Sequence, residues 1–255
     1  MLRLIHTQLR VIHALALREM QSQQANLAYG FGWVFFDAFL AFAGLMVMKF
    51  ALRGFNIVGI PPVTFIVSGL LPWMLFQTTY TVPGAAIAKG KNLLQLPIVT
   101  ELDVVLAAAL RIFIVYTILF VTCAVLAGFY ENVSPRLPLG IVLLYINMPL
   151  MGLGFGFMLT ALNRLYAPSA KFVGFFLRFS MIISGVIFGL RLFPPSMWPY
   201  LLWNPLLHVE ELLRVYWFTN YQTPQVSALY VAECSTGLVF FGLLLERYMR
   251  RRLPP

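Results

Sequence analysis

Six long apolar runs dominate the sequence and restrict what this chain can fold into. Each run is close to the roughly 20 residues that an α-helix needs to cross a bilayer. The runs extend from about Ala28 to Leu52, Pro62 to Val82, Leu102 to Phe129, Leu137 to Leu162, Phe172 to Leu190 and Val226 to Leu245. With 60% hydrophobic and only 11% charged residues, the chain is more apolar than a water-soluble core requires. The pattern predicts an all-α integral membrane protein with six transmembrane helices.

The first 26 residues follow a different pattern, which predicts an amphipathic helix on the membrane surface. Apolar residues recur at three- and four-residue steps, whereas Arg and His residues share the other side. The apolar set is Leu2, Ile5, Leu9, Ile12, Ala16 and Met20, and the polar set is Arg3, His6, Arg10 and His13. Because these residues contain no continuous apolar stretch typical of a cleavable signal peptide, we expect the N-terminus to stay in the cytoplasm.

The distribution of basic residues predicts the orientation in the bilayer. A six-span map places eleven Lys and Arg residues on the side of the two termini and five on the other side. The eleven are Arg3, Arg10, Arg18, Lys89, Lys91, Arg164, Lys171, Arg247, Arg250, Arg251 and Arg252, and the five are Lys49, Arg53, Arg136, Arg191 and Arg214. The positive-inside rule therefore predicts that both termini are cytoplasmic. The net charge of +9 comes without a basic stripe and interleaved aromatics, so nucleic acid is not an expected partner.

Residues 191–225, on the predicted external side, do not have the pattern of a clean span. Pro194, Pro195 and Pro199 interrupt any helix there. Asn204 followed by Pro205 is typical of a helix start, because Asn caps an N-terminus and Pro is tolerated at the first helical position. We therefore predict an external re-entrant or interfacial hairpin before the last span, with a short helix beginning at Pro205.

This short helix carries many charges for a membrane protein. Glu210 and Arg214 lie four residues apart, and His208 and Glu211 lie three apart, so we expect these pairs to form along one face. Another face is apolar and consists of Leu206, Val209, Leu213 and Tyr216. At membrane depth such a hairpin requires either a wet cavity beside it or a cover of protein.

The charged helix lacks the pattern of a catalytic or metal site. The order His208-Val209-Glu210-Glu211 differs from the HExxH zinc motif, and neither a second His at ligand spacing nor a nucleophile is nearby. We expect no catalytic residue and no metal. Cys123 lies in an apolar run without a CxxC partner, as does Cys234, and packing is their expected use.

The segment PGAAIAKGKN, residues 83–92, resembles a phosphate-binding loop only superficially. Gly84 and Gly90 are separated by five residues instead of four, and Asn92 stands where Ser or Thr would coordinate magnesium. The chain is therefore expected to bind neither ATP nor another cofactor by itself. The two lysines and the following leucines favour a short helix that docks into a partner's groove, with a plain connecting loop as the alternative.

Ionisable and aromatic residues within the spans predict a polar pathway or internal packing. Arg111 and Arg178 lie deep in their runs, where they fit an anionic passenger or an ion pair with Asp37 or Glu233. Aromatic residues concentrate in the first two runs, where they fit an interfacial belt or a route for sugars. The aromatic set is Tyr29, Trp33, Trp73, Phe76 and Tyr80.

Small residues spaced for close helix contact form two groups. One is the GLGFG stretch at residues 152–156, and the other is the pair Gly185 and Gly189. Because glycine lets helix backbones approach, we expect both groups to pack against neighbouring helices.

The order of these features resembles the permease subunits of type-2 ABC exporters, and within that group the capsular polysaccharide export permeases of the KpsM type. The resemblance extends from about Leu9 to Arg247. It rests on the amphipathic N-terminal helix, the six spans, the Gly/Lys loop and the block WNPLLHVEELLR. The most specific part is Trp203-Asn204-Pro205-Leu206 together with His208, Glu211 and Arg214.

This resemblance implies a division into an interfacial gate helix (residues 1–26), a six-span ABC transmembrane type-2 domain (27–247) and a basic cytoplasmic tail (248–255). The segment 85–96 would be similar to the coupling helix that contacts the ATPase, with Ala86, Lys89, Lys91, Asn92 and Leu94 as its contact residues. The hairpin would cap the outer mouth through Trp203, Asn204, Pro205, His208, Glu210, Glu211 and Arg214. The aromatic set with Arg111 and Arg178 would form the glycan pathway.

The same resemblance implies the partners and the location. The expected partners are a second copy of the chain, two ATPase subunits that carry ATP and magnesium, a periplasmic adaptor, an outer-membrane export protein and a lipid-linked, acidic polysaccharide. The expected location is the bacterial inner membrane. Two alternatives stay open. The first is an exporter of another lipid-linked glycan, lipid or drug, which would share the same architecture. The second is a membrane-embedded transferase, for which replacing His208 or Glu211 would abolish turnover.

Overall fold

The computed structural model describes residues 8, 10–18, 36–44, 47, 60–90, 93–95, 98–166, 169–223 and 225–252. All regular secondary structure in these residues is helical, which confirms the all-α class for the described part of the chain. Helical residues 10–18 and 36–44 precede six longer helices: α1 (Pro62–Lys89), α2 (Glu101–Glu131), α3 (Pro138–Leu165), α4 (Ser169–Ile183), α5 (Pro205–Trp217) and α6 (Ala228–Arg252). Three single turns, Leu190–Leu192, Pro195–Met197 and Trp198–Leu201, connect α4 to α5.

Three of these helices, α2, α3 and α6, are long and apolar enough to cross a membrane. They coincide with the third, fourth and sixth apolar runs of the sequence. The second run forms α1, whose residues are mostly buried among the other helices. Most of the first run lies outside the described residues.

Helices α1 and α4 do not end where their apolar runs end. α1 does not stop near Val82 but continues through Pro83 and Gly84 to Lys89, because proline is tolerated in helices whose neighbours satisfy the freed backbone groups. α4 ends at Ile183 and not at Leu190. Gly185 follows it with a φ of +81°, and a side chain there would come within 2.7 Å of Leu207. This left-handed glycine stops the helix and turns the chain toward α5.

The starts of α1 and α2 are fixed by side chains that satisfy free backbone amides. At the start of α2, Thr100 and Asp103 form a reciprocal capping box. At the start of α1, the carboxylate of Glu131 accepts the N–H of Val63 (2.8 Å) and both the N–H and the hydroxyl of Thr64 (2.7 Å each). Because Glu131 is the last residue of α2, this cap ties the two helices together at one end.

Glycines of α3 bring its backbone against two neighbours, as the GLGFG stretch predicts. A side chain on Gly154 would overlap the backbone of Leu238 in α6, and one on Gly242 of α6 would overlap Gly154. On the α1 side, Gly156 lies against the Tyr80 carbonyl and Pro83. The helix α3 therefore lies between α1 and α6. Gly185 and Gly189 lie in the turn after α4 and not in a helix, although a side chain on Gly185 would come within 2.7 Å of Leu207 in the next helix, α5.

Candidate functional site

The short helix α5 begins where the sequence predicts. The side-chain oxygen of Asn204 accepts the N–H of Leu206 (3.1 Å), and its amide nitrogen donates to Ser184 (2.9 Å). Pro205 occupies the first turn, where a missing N–H costs no hydrogen bond. The cap therefore both starts the helix and anchors it to the turn that follows α4.

Both faces of α5 are covered by protein, so its charges are not surface charges. Every residue from 206 to 214 is buried, and α5 packs against α1, α3 and α6. The sequence left open whether this helix borders a wet cavity or is covered by protein, and residues 206–214 are covered by protein. Buried charge is costly unless it is paired and hydrogen-bonded, so the partners of each group define the site.

Glu211 and Arg214 form an ion pair that is fully buried. The distance from Arg214 Nη1 to Glu211 Oε1 is 3.2 Å, and neither side chain is exposed to solvent. Glu211 also accepts hydrogen bonds from the N–H of Leu190 (2.9 Å) and from the hydroxyls of Tyr221 (2.7 Å) and Thr223 (2.8 Å). Four donors surround this carboxylate, so its oxygens are hydrogen-bonded inside the protein.

Arg214 connects the hairpin to α1 and to the turn after α4. Its Nη2 donates to the carbonyl of Val186 (2.9 Å), and its guanidinium carbon lies 3.8 Å from the ring centroid of Phe65. A side chain on Gly69 of α1 would come within 2.7 Å of Nη2 and 2.9 Å of the Val186 oxygen. Glycine at this position therefore leaves the room that the guanidinium occupies.

Glu210 is not part of this ion pair. Its side chain is fully buried, and neither carboxyl oxygen has a hydrogen-bond partner among the described residues. Burial raises the pKa of this carboxyl well above its ordinary value, although the charge of Arg214 acts in the opposite direction. The predicted Glu210–Arg214 pair was wrong, because the fold turns Arg214 toward the carboxylate that also binds Leu190, Tyr221 and Thr223.

His208 does not pair with Glu211 either. Its Nδ1 accepts the N–H of Ser227 (3.0 Å), and its Nε2 lies 2.8 Å from the carbonyl of Leu202. These contacts define a neutral ring with the proton on Nε2. Burial lowers the pKa of His208, and this effect exceeds the opposing ones of the Leu202 carbonyl and the Glu211 charge. The ring joins the start of α5 to the segment before α6.

The segment predicted to couple to a partner is divided between a helix and a turn. Ala86 and Lys89 lie in the last turn of α1, and Leu94 lies in the turn at residues 93–95. Lys91 and Asn92 lie outside the described residues. The N–H groups of Leu93 and Leu94 both donate to the Gly90 carbonyl. Beside this turn is a cavity of about 210 Å³ lined by Leu15, Arg18, Ala86, Lys89, Gly90, Leu93, Val104 and Ala107.

The aromatic residues predicted for a sugar route lie inside the helix bundle where they are described. Trp73, Phe76 and Tyr80 are all buried on α1, with ring centroids 5.5 Å and 6.0 Å apart along the series. Tyr80 packs edge-on against Phe155 of α3 at 6.2 Å. Tyr29 and Trp33 lie outside the described residues. Arg111 is half-buried on α2, and Arg178 belongs to α4, with its side chain outside the described part. Their use as a glycan pathway stays a prediction.

An ionic cluster at the opposite end of the bundle was not found from the sequence. Arg164 Nη2 lies 3.5 Å from Glu101 and 3.4 Å from Glu246. Arg250 Nη1 lies 3.6 Å from Glu101, and its Nε lies 4.0 Å from Glu246. The cluster joins the start of α2 to the ends of α3 and α6. Its only signal in the sequence is that both glutamates lie at the boundary of an apolar run, with Arg247 directly after Glu246.

The described part of the chain is all-helical, and three of its helices are candidate membrane spans, as expected of an integral membrane protein. No protein-family model matches the sequence. The chain is 26% identical over 239 residues to the polysialic acid transport protein KpsM of Escherichia coli, covering 92% of each chain.

Two further relatives have related names. The chain is 24% identical to the capsule polysaccharide export inner-membrane protein CtrC of Neisseria meningitidis serogroup B, covering 97% of this chain and 94% of the relative. It is 23% identical to the capsule polysaccharide export inner-membrane protein BexB of Haemophilus influenzae, covering 96% and 93%. The chain is thus a homologue of capsule polysaccharide export inner-membrane proteins along nearly its whole length.

Proposed function

We propose that this protein is the permease subunit of an ATP-driven exporter that moves a lipid-linked, acidic capsular polysaccharide across the bacterial inner membrane. The observation that carries the proposal is the similarity over more than nine-tenths of the chain to relatives named for capsule polysaccharide export. The absence of a phosphate-loop motif from the sequence assigns ATP and magnesium to a separate ATPase subunit. Transport then requires a second copy of the chain, two ATPase subunits and envelope partners that receive the polymer.

The proposed topology has six spans with both termini in the cytoplasm. In support, Lys89 and Arg18 lie around one cavity with Val104 of α2. Near the same end of α2, Glu101 contacts Arg164 and Arg250. Basic residues from four parts of the chain thus share the end that the positive-inside rule assigns to the cytoplasm. The N-terminal amphipathic helix is proposed to act as a gate at this end, and the hydrogen bond from Gln8 to Asp103 (2.6 Å) supports its position there.

The cytoplasmic cavity is the proposed contact with the ATPase. Lys89 is exposed at the end of α1, whereas Ala86 and Leu93 supply apolar surface beside it. This combination suits an amphipathic partner segment with an acidic residue. Lys91, Asn92 and Leu94 complete the proposed coupling set.

At the other end, the charged hairpin is proposed to close the outer mouth. The Glu211–Arg214 pair and its partners hold α5 against α1 and the turn after α4, and these contacts need no catalysis. Arg111 and Arg178, with the aromatic set, are the proposed surface for an acidic polymer.

The test is the ATPase activity of the partner subunits reconstituted with this chain in lipid, with and without acidic lipid-linked glycan. We expect the glycan to stimulate hydrolysis. Lys89→Glu should remove the stimulation, whereas Arg251→Glu, a matched charge reversal at an exposed position of α6, should retain it. If the chain alone turns over a lipid-linked substrate without any ATPase, a transferase replaces the exporter. If a lipid or drug stimulates ATP hydrolysis and the glycan does not, the proposed polysaccharide cargo is wrong.

A further inference from the structure

A large apolar groove separates the end of α2 from the start of α3. Its volume is about 710 Å³, within the usual size of ligand sites. Its walls include Phe120, Val121, Ala124 and Val125 of α2 and Ile141 and Val142 of α3. Asn132 and Ser134 lie at the connection between the helices, so the groove has an apolar body and a polar end.

Trp217, the last residue of α5, also lines this groove. Its side chain is only 4% exposed, and its indole N–H has no hydrogen-bond partner among the described residues. A buried donor without an acceptor is costly, and the N–H of a buried Trp usually finds a partner. An occupant of the groove that carries a hydrogen-bond acceptor would satisfy this donor with a small shift of the Trp217 side chain.

The charges near the polar end favour an anionic occupant. Arg136 is exposed in the connection between α2 and α3, and its neighbours Ser134, Pro135 and Pro138 line the groove. The nearby carboxylate of Glu131 is held by the N–H groups of Val63 and Thr64. Arg136 therefore offers an exposed positive charge in the connection that borders the groove.

We propose that this groove binds one anionic phospholipid of the surrounding bilayer. An acyl chain lies between α2 and α3, an ester carbonyl accepts the indole N–H of Trp217, and the phosphate lies near Arg136. This assignment rests on the apolar walls of the groove, the unpartnered indole N–H of Trp217 and the exposed charge of Arg136. It does not depend on the identity of the exported cargo.

The lipid would contact the hairpin directly. The backbone N–H of Arg136 donates to the Trp217 carbonyl (3.3 Å), and that of Leu137 donates to the Tyr216 carbonyl (2.9 Å). The Trp217 ring also packs edge-on against Phe120 at 6.0 Å. Occupancy of the groove therefore stabilises the end of α5 that carries the buried charges, and makes the hairpin sensitive to the lipid composition of the membrane.

The test is lipid binding to the purified, delipidated full-length chain, measured by native mass spectrometry during titration with palmitoyl-oleoyl phosphatidylglycerol or phosphatidylcholine. We expect phosphatidylglycerol to bind more tightly to the wild type. Val121→Trp, which fills the groove from an exposed position, should weaken binding about tenfold or more. Trp217→Phe should weaken it about fivefold, the effect of one hydrogen bond, and Arg136→Gln should remove the preference for the anionic lipid.

Trp203→Phe is the matched control, because Trp203 is 82% exposed and does not line this groove; it should bind lipid like the wild type. A second readout is the indole ¹⁵N–¹H resonance of Trp217, assigned by its loss in Trp217→Phe, which should shift on addition of phosphatidylglycerol. This signal reports the hydrogen bond even if the substitution weakens the fold.

Three outcomes would overturn the proposal. Unchanged phosphatidylglycerol binding by Val121→Trp would show that the lipid binds elsewhere. An indole resonance that does not respond to lipid would assign the acceptor to water. A change of oligomeric state in Val121→Trp with unchanged lipid binding would make the groove a contact between copies of the chain.

Discussion

Arg214 Nη1 lies 3.2 Å from Glu211 Oε1 inside the protein, while Glu210, one residue before Glu211, has no hydrogen-bond partner among the described residues. The two adjacent glutamates therefore have different surroundings, one with hydrogen-bond donors and one without. Four donors surround the carboxyl oxygens of Glu211, whereas those of Glu210 have no donor among the described residues and burial raises the pKa of the Glu210 carboxyl. An ion pair of this kind adds little net stability but fixes the orientation of α5.

Replacing the two glutamates by glutamine should have very different effects. Glu211→Gln leaves the Arg214 charge buried without its counter-ion, so we expect a loss of about 3–5 kcal/mol in the free energy of unfolding. Glu210→Gln preserves the shape of a neutral carboxyl and should change it by less than about 1 kcal/mol. Thermal unfolding of the purified variants measures both. Full stability and normal export in Glu211→Gln would contradict the role of the ion pair in holding the hairpin.

Adding one methyl group to Gly69 should disturb the same cluster from α1. The new carbon would come within 2.7 Å of Arg214 Nη2 and 2.9 Å of the Val186 oxygen. We expect Gly69→Ala to reduce stability by about 1–3 kcal/mol, the usual cost of overpacking. Gly237→Ala is the matched control in α6, since a side chain there meets nothing within 4 Å, and its melting temperature should stay the same or rise. Equal melting temperatures for the two variants would argue against close packing at Gly69.

Removing the charge of Glu131 should loosen the start of α1. Its carboxylate accepts two backbone N–H groups and one hydroxyl, so we expect Glu131→Gln to cost about 1–2 kcal/mol, as for the loss of a strong helix cap. Amide exchange at Val63 and Thr64 should accelerate. Glu233→Gln, at an exposed position of α6, should leave that exchange unchanged. Slow exchange retained in Glu131→Gln would show that the cap is dispensable.

The stability provided by His208 should depend on pH. The folded protein lowers the pKa of His208 below its unfolded value of about 6.5. Because the neutral ring accepts the Ser227 N–H, its contribution is fully present above the unfolded pKa and is lost as pH falls through the lowered folded pKa. We expect the melting temperature of wild type to exceed that of His208→Gln by more at neutral pH than at about pH 5. A difference that does not change with pH would contradict this assignment.

The sequence alone determined the helical class, the start of α5 and the close contacts of the α3 glycines. These features depend on local rules. An apolar run of bilayer length forms a helix whichever helix it packs against, Asn204 and Pro205 start a helix through their own backbone preferences, and glycine permits close approach wherever a neighbour lies.

Only the tertiary structure decided which charges pair and where two helices end. The residues that surround Glu211 include Leu190 and Tyr221, 21 and 10 positions away, and Glu131 caps a helix 67 positions before it. α4 ends before Gly185, which has a φ of +81° and where a side chain would come within 2.7 Å of Leu207 in α5. Spacing along a helix shows which residues can meet, but the cost of burying charge selects the pairs that form, and that cost depends on every element packed around them.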